Sequence, residues 1–291
     1  MNKNDDSSAK QNSKSGSVKG RSKSKSKFVP VVPPEDAGND GHPEIHPHLP
    51  QIAGPGGGAL LLMISPVRTG KSTIISNLLL GDDAMGFYNA QDRFHTTTII
   101  SNTIANDVTS RFLAKAFDTH DSYDDSIIDG IVNQQKSYDK EEQPDIAVIL
   151  DDCLGSIRRE ARINHLASRF RHFNIRLLII SSQNFRSCSP IIRQNATNVI
   201  VGSPFPNQKE LGKMAEEYGD VFGGADNWLK IYKKATPDKY CFLHMDFQSN
   251  PPKAYRCFEE LIAEGPNIMG EVPDLSDEDE DEDLQFNEEK K

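Results

Sequence analysis

Ala59-Leu-Leu-Leu-Met-Ile-Ser65-Pro-Val-Arg-Thr-Gly70-Lys71-Ser72-Thr73-Ile-Ile-Ser-Asn-Leu-Leu-Leu80 is the stretch whose reading decides the fold. Its first six residues form a short apolar run suited to a buried strand. Its last nine carry apolar residues at helical spacing. A loop that leaves a strand and curls into a helix N-terminus converges backbone N–H groups on one point, and the helix dipole adds a field that favours anions. Gly70 lets the backbone approach closely. Lys71 reaches the β- and γ-phosphates as a point charge, and Ser72 offers a hydroxyl to Mg²⁺. Pro66 lacks an N–H but sits early, where a donor is least needed. Residues Pro66, Val67, Arg68, Thr69, Gly70, Lys71, Ser72 and Thr73 are therefore the expected nucleotide-phosphate contacts. One place departs from the pattern G-x-x-x-x-G-K-[ST]: its first glycine is Ser65 here.

Outward from this stretch, strand-like and helix-like segments alternate. Thr96–Ser101, Ile146–Leu150, Leu177–Ser181 and Thr197–Gly202 read as strands. Segments near 72–80, 104–118, 125–138, 156–173, 208–218 and 226–235 read as helices, the one at 156–173 carrying Ile163, Leu166, Phe170 and Phe173 on one stripe. Tyr240–Asp246 and Ala254–Phe258 alternate and suggest an antiparallel pair. Fully apolar strands bracketed by helices predict an α/β fold whose mostly parallel sheet is covered on both faces.

Two strand ends complete a chemical set. Ile146–Leu150 runs straight into Asp151-Asp152, and carboxylates at the tip of an apolar strand are costly without a task. Asp151 is placed to hold Mg²⁺, and Asp152 to orient or deprotonate the attacking water. Leu177–Ser181 leads to Ser182-Gln183; beside the Asp151 strand, Gln183 would face the γ-phosphate. A site at the carboxyl ends of parallel strands is the expected location in open α/β sheets.

The rest of the chain bounds the possibilities. It has 291 residues, net charge −10 and only 36% hydrophobic residues. The apolar deficit lies at the ends. Residues 1–28 hold seven Lys and one Arg against two Asp, and residues 271–291 hold eleven acidic residues and two Lys. Such segments bury too little surface to offset ordering entropy. The expected organisation is a disordered basic arm and Pro/Gly/His-rich linker over 1–50, a P-loop ATPase domain over 51–270, and a disordered acidic tail over 271–291. No apolar run is long enough for a membrane span, and the hydrophilic start is no secretory signal. Cys153, Cys188, Cys241 and Cys257 stand far apart, which suits a reduced compartment better than zinc or disulfides. His42, His46 and His48 alternate with prolines and read as an extended arm rather than a metal site.

The set S-P-V-R-T-G-K-S-T, I-L-D-D-C and I-I-S-S-Q-N, with Arg171-His172-Phe173-Asn174-Ile175 before the last and Pro190-Ile-Ile-Arg193-Gln-Asn195 after it, resembles the genome-packaging ATPases of large double-stranded DNA viruses. These are poxvirus-type relatives of the FtsK–HerA pumps. The order of motifs resembles the additional-strand class of P-loop ATPases, here with strand 96–101 falling between the Lys71 loop and the acidic strand in sequence. The resemblance spans about residues 55–205. It implies an ATP- and Mg²⁺-dependent motor subunit that assembles into a homo-oligomeric ring, grips double-stranded DNA weakly and salt-sensitively, and works with a capsid or portal vertex protein. It implies a place in the host-cell cytoplasm, nucleus or virion. Lys71 and Ser72 carry over as nucleotide and Mg²⁺ ligands, Asp151 as the metal carboxylate, Asp152 as the catalytic carboxylate and Gln183 as the sensor.

Residues 156–176 add Arg158, Arg159, Arg162, Arg169, Arg171 and Arg176 against one acid, Glu160. Such a cluster can line DNA phosphates or send a finger into a neighbouring subunit's nucleotide; Arg193 and Arg171 are the candidates. Two other readings stay open: a nucleoside or nucleotide kinase, and a catalytically degenerate nucleotide-binding assembly protein.

Overall fold

The computed structural model describes residues 42–53, 57–104, 110–158 and 160–265. The expected basic arm, most of the linker and the acidic tail lie outside the described residues.

Strands β1 (Ala59–Ile64), β2 (Thr96–Ser101), β3 (Asp118–His120), β4 (Ile146–Asp151), β5 (Ile175–Ser182), β6 (Asn198–Gly202), β7 (Phe242–Asp246), β8 (Lys253–Arg256) and β9 (Glu260–Glu264) form one sheet in the order β3-β2-β4-β5-β1-β6-β7-β8-β9. From β3 to β6 every pairing is parallel; β6 to β9 is antiparallel. The helices are α1 (Lys71–Leu80), α2 (Ala90–Arg93), α3 (Ser110–Ala116), α4 (Asp125–Lys136), α5 (Arg162–Ala167), α6 (Pro190–Asn195), α7 (Gln208–Tyr218) and α8 (Ala225–Ala235).

Every residue of β1 and β4 is buried, and so is almost all of β5. Side chains alternate across a strand, so β1 feeds two cores. Leu60, Leu62 and Ile64 join Val148 and Leu178 on the face covered by α4–α8, where Met214, Trp228 and Tyr232 pack. Leu61 and Met63 join Ile149 and Ile179 on the other face, under Ile75, Leu78 and Leu79 of α1. Burial on both faces is why these strands are continuous apolar runs.

Two expectations change. The stretch 156–173 is not one helix: α5 ends at Ala167, and a 3₁₀ turn follows at Phe170–Phe173. The Ser168 hydroxyl donates to His165 O, and Arg169 N–H to Leu166 O at 2.8 Å, so tighter bonds replace the α ladder. The apolar stripe is still used, with Ile163, Leu166 and Phe170 buried. The segment before residue 51 is packed rather than extended, because Ile45, Leu49 and Ile52 enter the α1-side core. His48 Nδ1 meets Phe258 O at 2.8 Å, and its ring lies against Tyr255. As the reading of Gln183 required, β5 lies beside β4; it stands between β4 and β1 in space, and β2, which falls between them in sequence, pairs on the outer side of β4. Of the expected helix at 104–118, residues 105–109 lie outside the described ones.

His244 in β7 is fully buried and stacked on Tyr255, with Asn198 Nδ2 3.3 Å from its Nε2. Burial pulls its pKa down to about 4 from 6.5; Asp246 opposes the shift and His48 adds to it. The unfolded chain therefore takes up the proton first. Stability attributable to neutral His244 is full above pH 6.5 and drains as pH falls toward 4. Denaturant midpoints measured across that window should fall steeply in the parent and less steeply in His244→Gln.

Candidate nucleotide-phosphate site

β1 ends at Ile64, and residues 65–70 turn the chain into α1. Gly70 caps that helix with φ 94°, a left-handed conformation that costs glycine nothing. Ile74 N–H closes the first helical bond on Gly70 O at 2.9 Å. Among the described residues, the N–H groups of Val67, Arg68, Thr69 and Gly70 have no acceptor. Those of Lys71, Ser72 and Thr73 belong to the first helical turn, which has no intrahelical partner for them. That is a cradle of donors suited to a polyanion.

The loop is held from inside. Thr69 Oγ1 donates to Pro66 O at 2.6 Å and also bonds Ser65 Oγ. Thr69 is buried, so its side chain is a loop staple and only its N–H is offered to a ligand, a narrower role than the sequence suggested. Ser65 replaces the customary glycine because the neighbour has given way. A Cβ built on Gly202, at the end of adjacent β6, would lie 1.8 Å from Ser65 Oγ. The missing side chain is on Gly202, and the hydroxyl of Ser65 fills its place.

Across the loop, Lys71 Nζ donates to Ser65 O at 2.8 Å and Pro66 O at 3.3 Å, and lies 3.9 Å from Asp152 Oδ2. Asp152 sits just past β4 with φ 59°, which turns its carboxylate away from that of Asp151. Gln183, just past β5, donates its amide to Asp152 Oδ2. Asp151 is 6% exposed and accepts from Ser181 Oγ on one oxygen and from Ser101 Oγ, 3.3 Å away, on the other. Ser181 also accepts from Asp152 N–H at 3.1 Å. Ser181 and Ser101 escaped the sequence reading; the signal was there, hydroxyls ending two strands just after their apolar residues.

Burial pushes the Asp151 carboxyl above its ordinary value, and Asp152 adds to this; the Ser181 hydrogen bond, Lys71 and the Ser101 hydrogen bond oppose it. Burial also lowers Lys71, against the attraction of Asp152 and then Asp151. Both shifts signal charge held out of water for want of a stronger counter-charge. Hydroxyl and carboxylate oxygens from Ser72 and Asp151 make a hard donor set appropriate to Mg²⁺.

These groups line one cleft of about 520 Å³, together with Thr103, Lys239 and Tyr240. The last two lie in the turn between α8 and β7. Tyr240 has φ 72°, is 56% exposed, and carries the Lys239 ammonium 4.7 Å from its ring centre. A Cβ on Gly70 would lie 3.7 Å from that ring. Given the order β4-β5-β1-β6-β7, the acids and Tyr240 flank the phosphate loop on opposite sides.

The arginines are not brought to this cleft, apart from Arg68 in the loop itself. Arg193 pairs with Glu217 at 3.1 Å and stacks 4.4 Å over Phe185, so its guanidinium is committed within the chain. Arg171 precedes β5 and Gln183 follows it. Eight strand residues at ~3.3 Å each separate them by about 25 Å, so Arg171 cannot serve this chain's own nucleotide. Arg162 pairs with Asp129 and Arg176 with Asp145.

Phosphate loop, acidic strand tip and an intervening strand followed by Gln183 define a P-loop NTPase fold of the additional-strand class. No family model matches the chain. It is similar to an uncharacterized protein, 075L, of Invertebrate iridescent virus 6, with 25% identity over 194 residues, covering 65% of this chain and 71% of that one. Among solved structures it is similar to the DNA-packaging ATPase B204 of Sulfolobus Turreted Icosahedral Virus, at 19% identity and TM-score 0.49, over 68% of this chain and 96% of that one. It is also similar to the cytoplasmic domain of the Type VII secretion ATPase EccC of Thermomonospora curvata, at 16% identity and TM-score 0.41, over 53% of this chain and 20% of that one.

Gly202→Ala should drive a methyl into Ser65 and cost about 1–3 kcal/mol, as overpacking does. The double variant Ser65→Gly, Gly202→Ala should recover most of that loss in thermal melts; additive losses would show that the two residues do not share this space.

Proposed function

We propose that this chain binds ATP with Mg²⁺ and hydrolyses it, as a subunit of a motor that moves double-stranded viral DNA into a capsid. The observation that carries the ATPase reading is the convergence of Lys71, Asp152 and Gln183 beside a loop of free N–H groups. Lys71 and the loop donors hold the β- and γ-phosphates. Ser72 and Asp151 hold Mg²⁺, which would neutralise charge building on the phosphate oxygens. Asp152 orients the attacking water and takes its proton, while Gln183 positions that carboxylate and senses the γ-phosphate. The nucleobase extends the other way and rests on Tyr240, with Lys239 beside the sugar and α-phosphate.

The DNA-moving part of this reading rests on the motif resemblance, as do ring assembly and a capsid or portal partner. Measuring phosphate release with and without double-stranded DNA tests it. DNA-stimulated hydrolysis by a ring seen in electron micrographs supports the motor. Phosphate transfer to a nucleoside would indicate a kinase, and an oligomer that binds nucleotide without turnover would indicate an assembly protein.

Lys71→Ala should abolish nucleotide binding, as read by calorimetry; near-parental affinity would refute the loop assignment. Asp152→Asn should still bind ATP but hydrolyse it at least roughly 10²-fold more slowly, the scale of general-base effects. Base–aromatic stacking is worth about 1–3 kcal/mol, so Tyr240→Ala should weaken ATP about tenfold or more. Tripolyphosphate, which has no base, should bind that variant as it binds the parent.

A further inference from the structure

The end of the sheet opposite the nucleotide cleft carries a second cavity, of about 730 Å³. Lys140, Arg169, Arg171, His172 and Arg176 line it, and no carboxylate does. Arg176 is occupied by Asp145, but Lys140, Arg169 and Arg171 are exposed and have no carboxylate partner among the described residues. In a chain of net charge −10 this concentration of unopposed cations is anomalous. It calls for a polyanion.

The path of the chain supplies one. Glu264, at the end of β9, pairs with Lys253; Lys253 pairs with Asp246, and Asp246 with Asn198. The described chain therefore leaves the sheet at its cavity-bearing end, three strand spacings from β6, or about 14 Å. Phe247, just past Asp246, is itself part of the cavity wall. Eleven residues, 266–276, then precede seven consecutive acids, Asp277-Glu-Asp-Glu-Asp-Glu-Asp283. Extended, that connection reaches about 35–40 Å, more than enough to cross from β9 to the mouth beside β5.

We propose that the acidic run Asp277–Asp283 docks in cis into the basic cavity formed by Lys140, Arg169, Arg171 and Arg176. The tail then acts as a tethered competitor. It presents a high local concentration of carboxylates to a surface that would otherwise take any phosphate-rich chain, and dissociates when a denser polyanion or higher salt outbids it. Nothing in this depends on the nucleotide site, so it stands or falls separately from the ATPase reading.

The test is zero-length carbodiimide coupling of the full chain, followed by peptide mass spectrometry on an equal mixture of ¹⁵N-labelled and unlabelled protein. The expected product joins Lys140 to a carboxylate of 277–283 within one isotopic label, and its yield falls at least tenfold in 0.5 M NaCl. Arg169→Glu with Arg171→Glu should lose it. Should that variant fail to fold, neutralising 277–283 to Asn and Gln leaves the described body untouched and, in a Lys71→Ala background that keeps the probe off the phosphate loop, should tighten binding of short-chain polyphosphate at least tenfold in low salt. Coupling of the tail only to Lys19–Lys27 of the basic arm, coupling of Lys140 only between chains, or polyphosphate binding indifferent to the tail would each overturn the proposal.

Discussion

The site depends on one constraint: two carboxylates and an ammonium must share the edge of a sheet that is otherwise apolar. Asp151 is nearly dry, and water does not compensate its charge. It survives there because Ser181 and Ser101 reach it from the strands on either side. β5 is central to this arrangement. By lying between β1 and β4 it sets the acidic strand one position away from the phosphate loop, and the gap holds Lys71, Asp152 and Gln183 together. Were β4 paired directly with β1, no residue could stand between the lysine and the acids.

The same edge explains the odd serine. A glycine at the start of such a loop leaves room; here the room is made on β6 instead, at Gly202. Ser65 turns the exchange to use, because its hydroxyl joins Thr69 and helps fasten the loop whose outward N–H groups remain available. Loop shape and ligand donors are thereby separated: side chains hold the turn and backbone faces the cleft.

Much of this was legible in the residues. Strands β1, β4 and β5 are unmistakable because burial on both faces demands unbroken apolar runs. Asp151, Asp152 and Gln183 were readable because they follow such runs at the strand ends, and Lys71 because Gly70-Lys71-Ser72 opens a helix after one. Beyond the two serines, what escaped had no local signature. Tyr240 and Lys239 lie about 170 positions from Gly70, and only the antiparallel return of β7 along β6 brings them to the loop. The 156–173 stripe predicted burial correctly but not helix continuity, which Ser168 and Arg169 decide through bonds no periodicity records. Sequence order placed 96–101 between the loop and the acids, whereas spatial order is settled by pairing across β5.

The segment around His48 and Gln51 has a consequence for how the molecule is made. Gln51 and Gln248 exchange two hydrogen bonds, at 2.9 and 2.8 Å, and His48 meets Phe258. A ribosome releases residues 42–52 early; Gly86, Tyr88 and Arg93, which bond His46, Pro50 and Pro43, follow soon after, but Gln248 and Phe258 come some two hundred codons later. The segment can therefore settle against the early part of the body first, whereas the contacts of His48 and Gln51 close only when nearly all the described body has been synthesised.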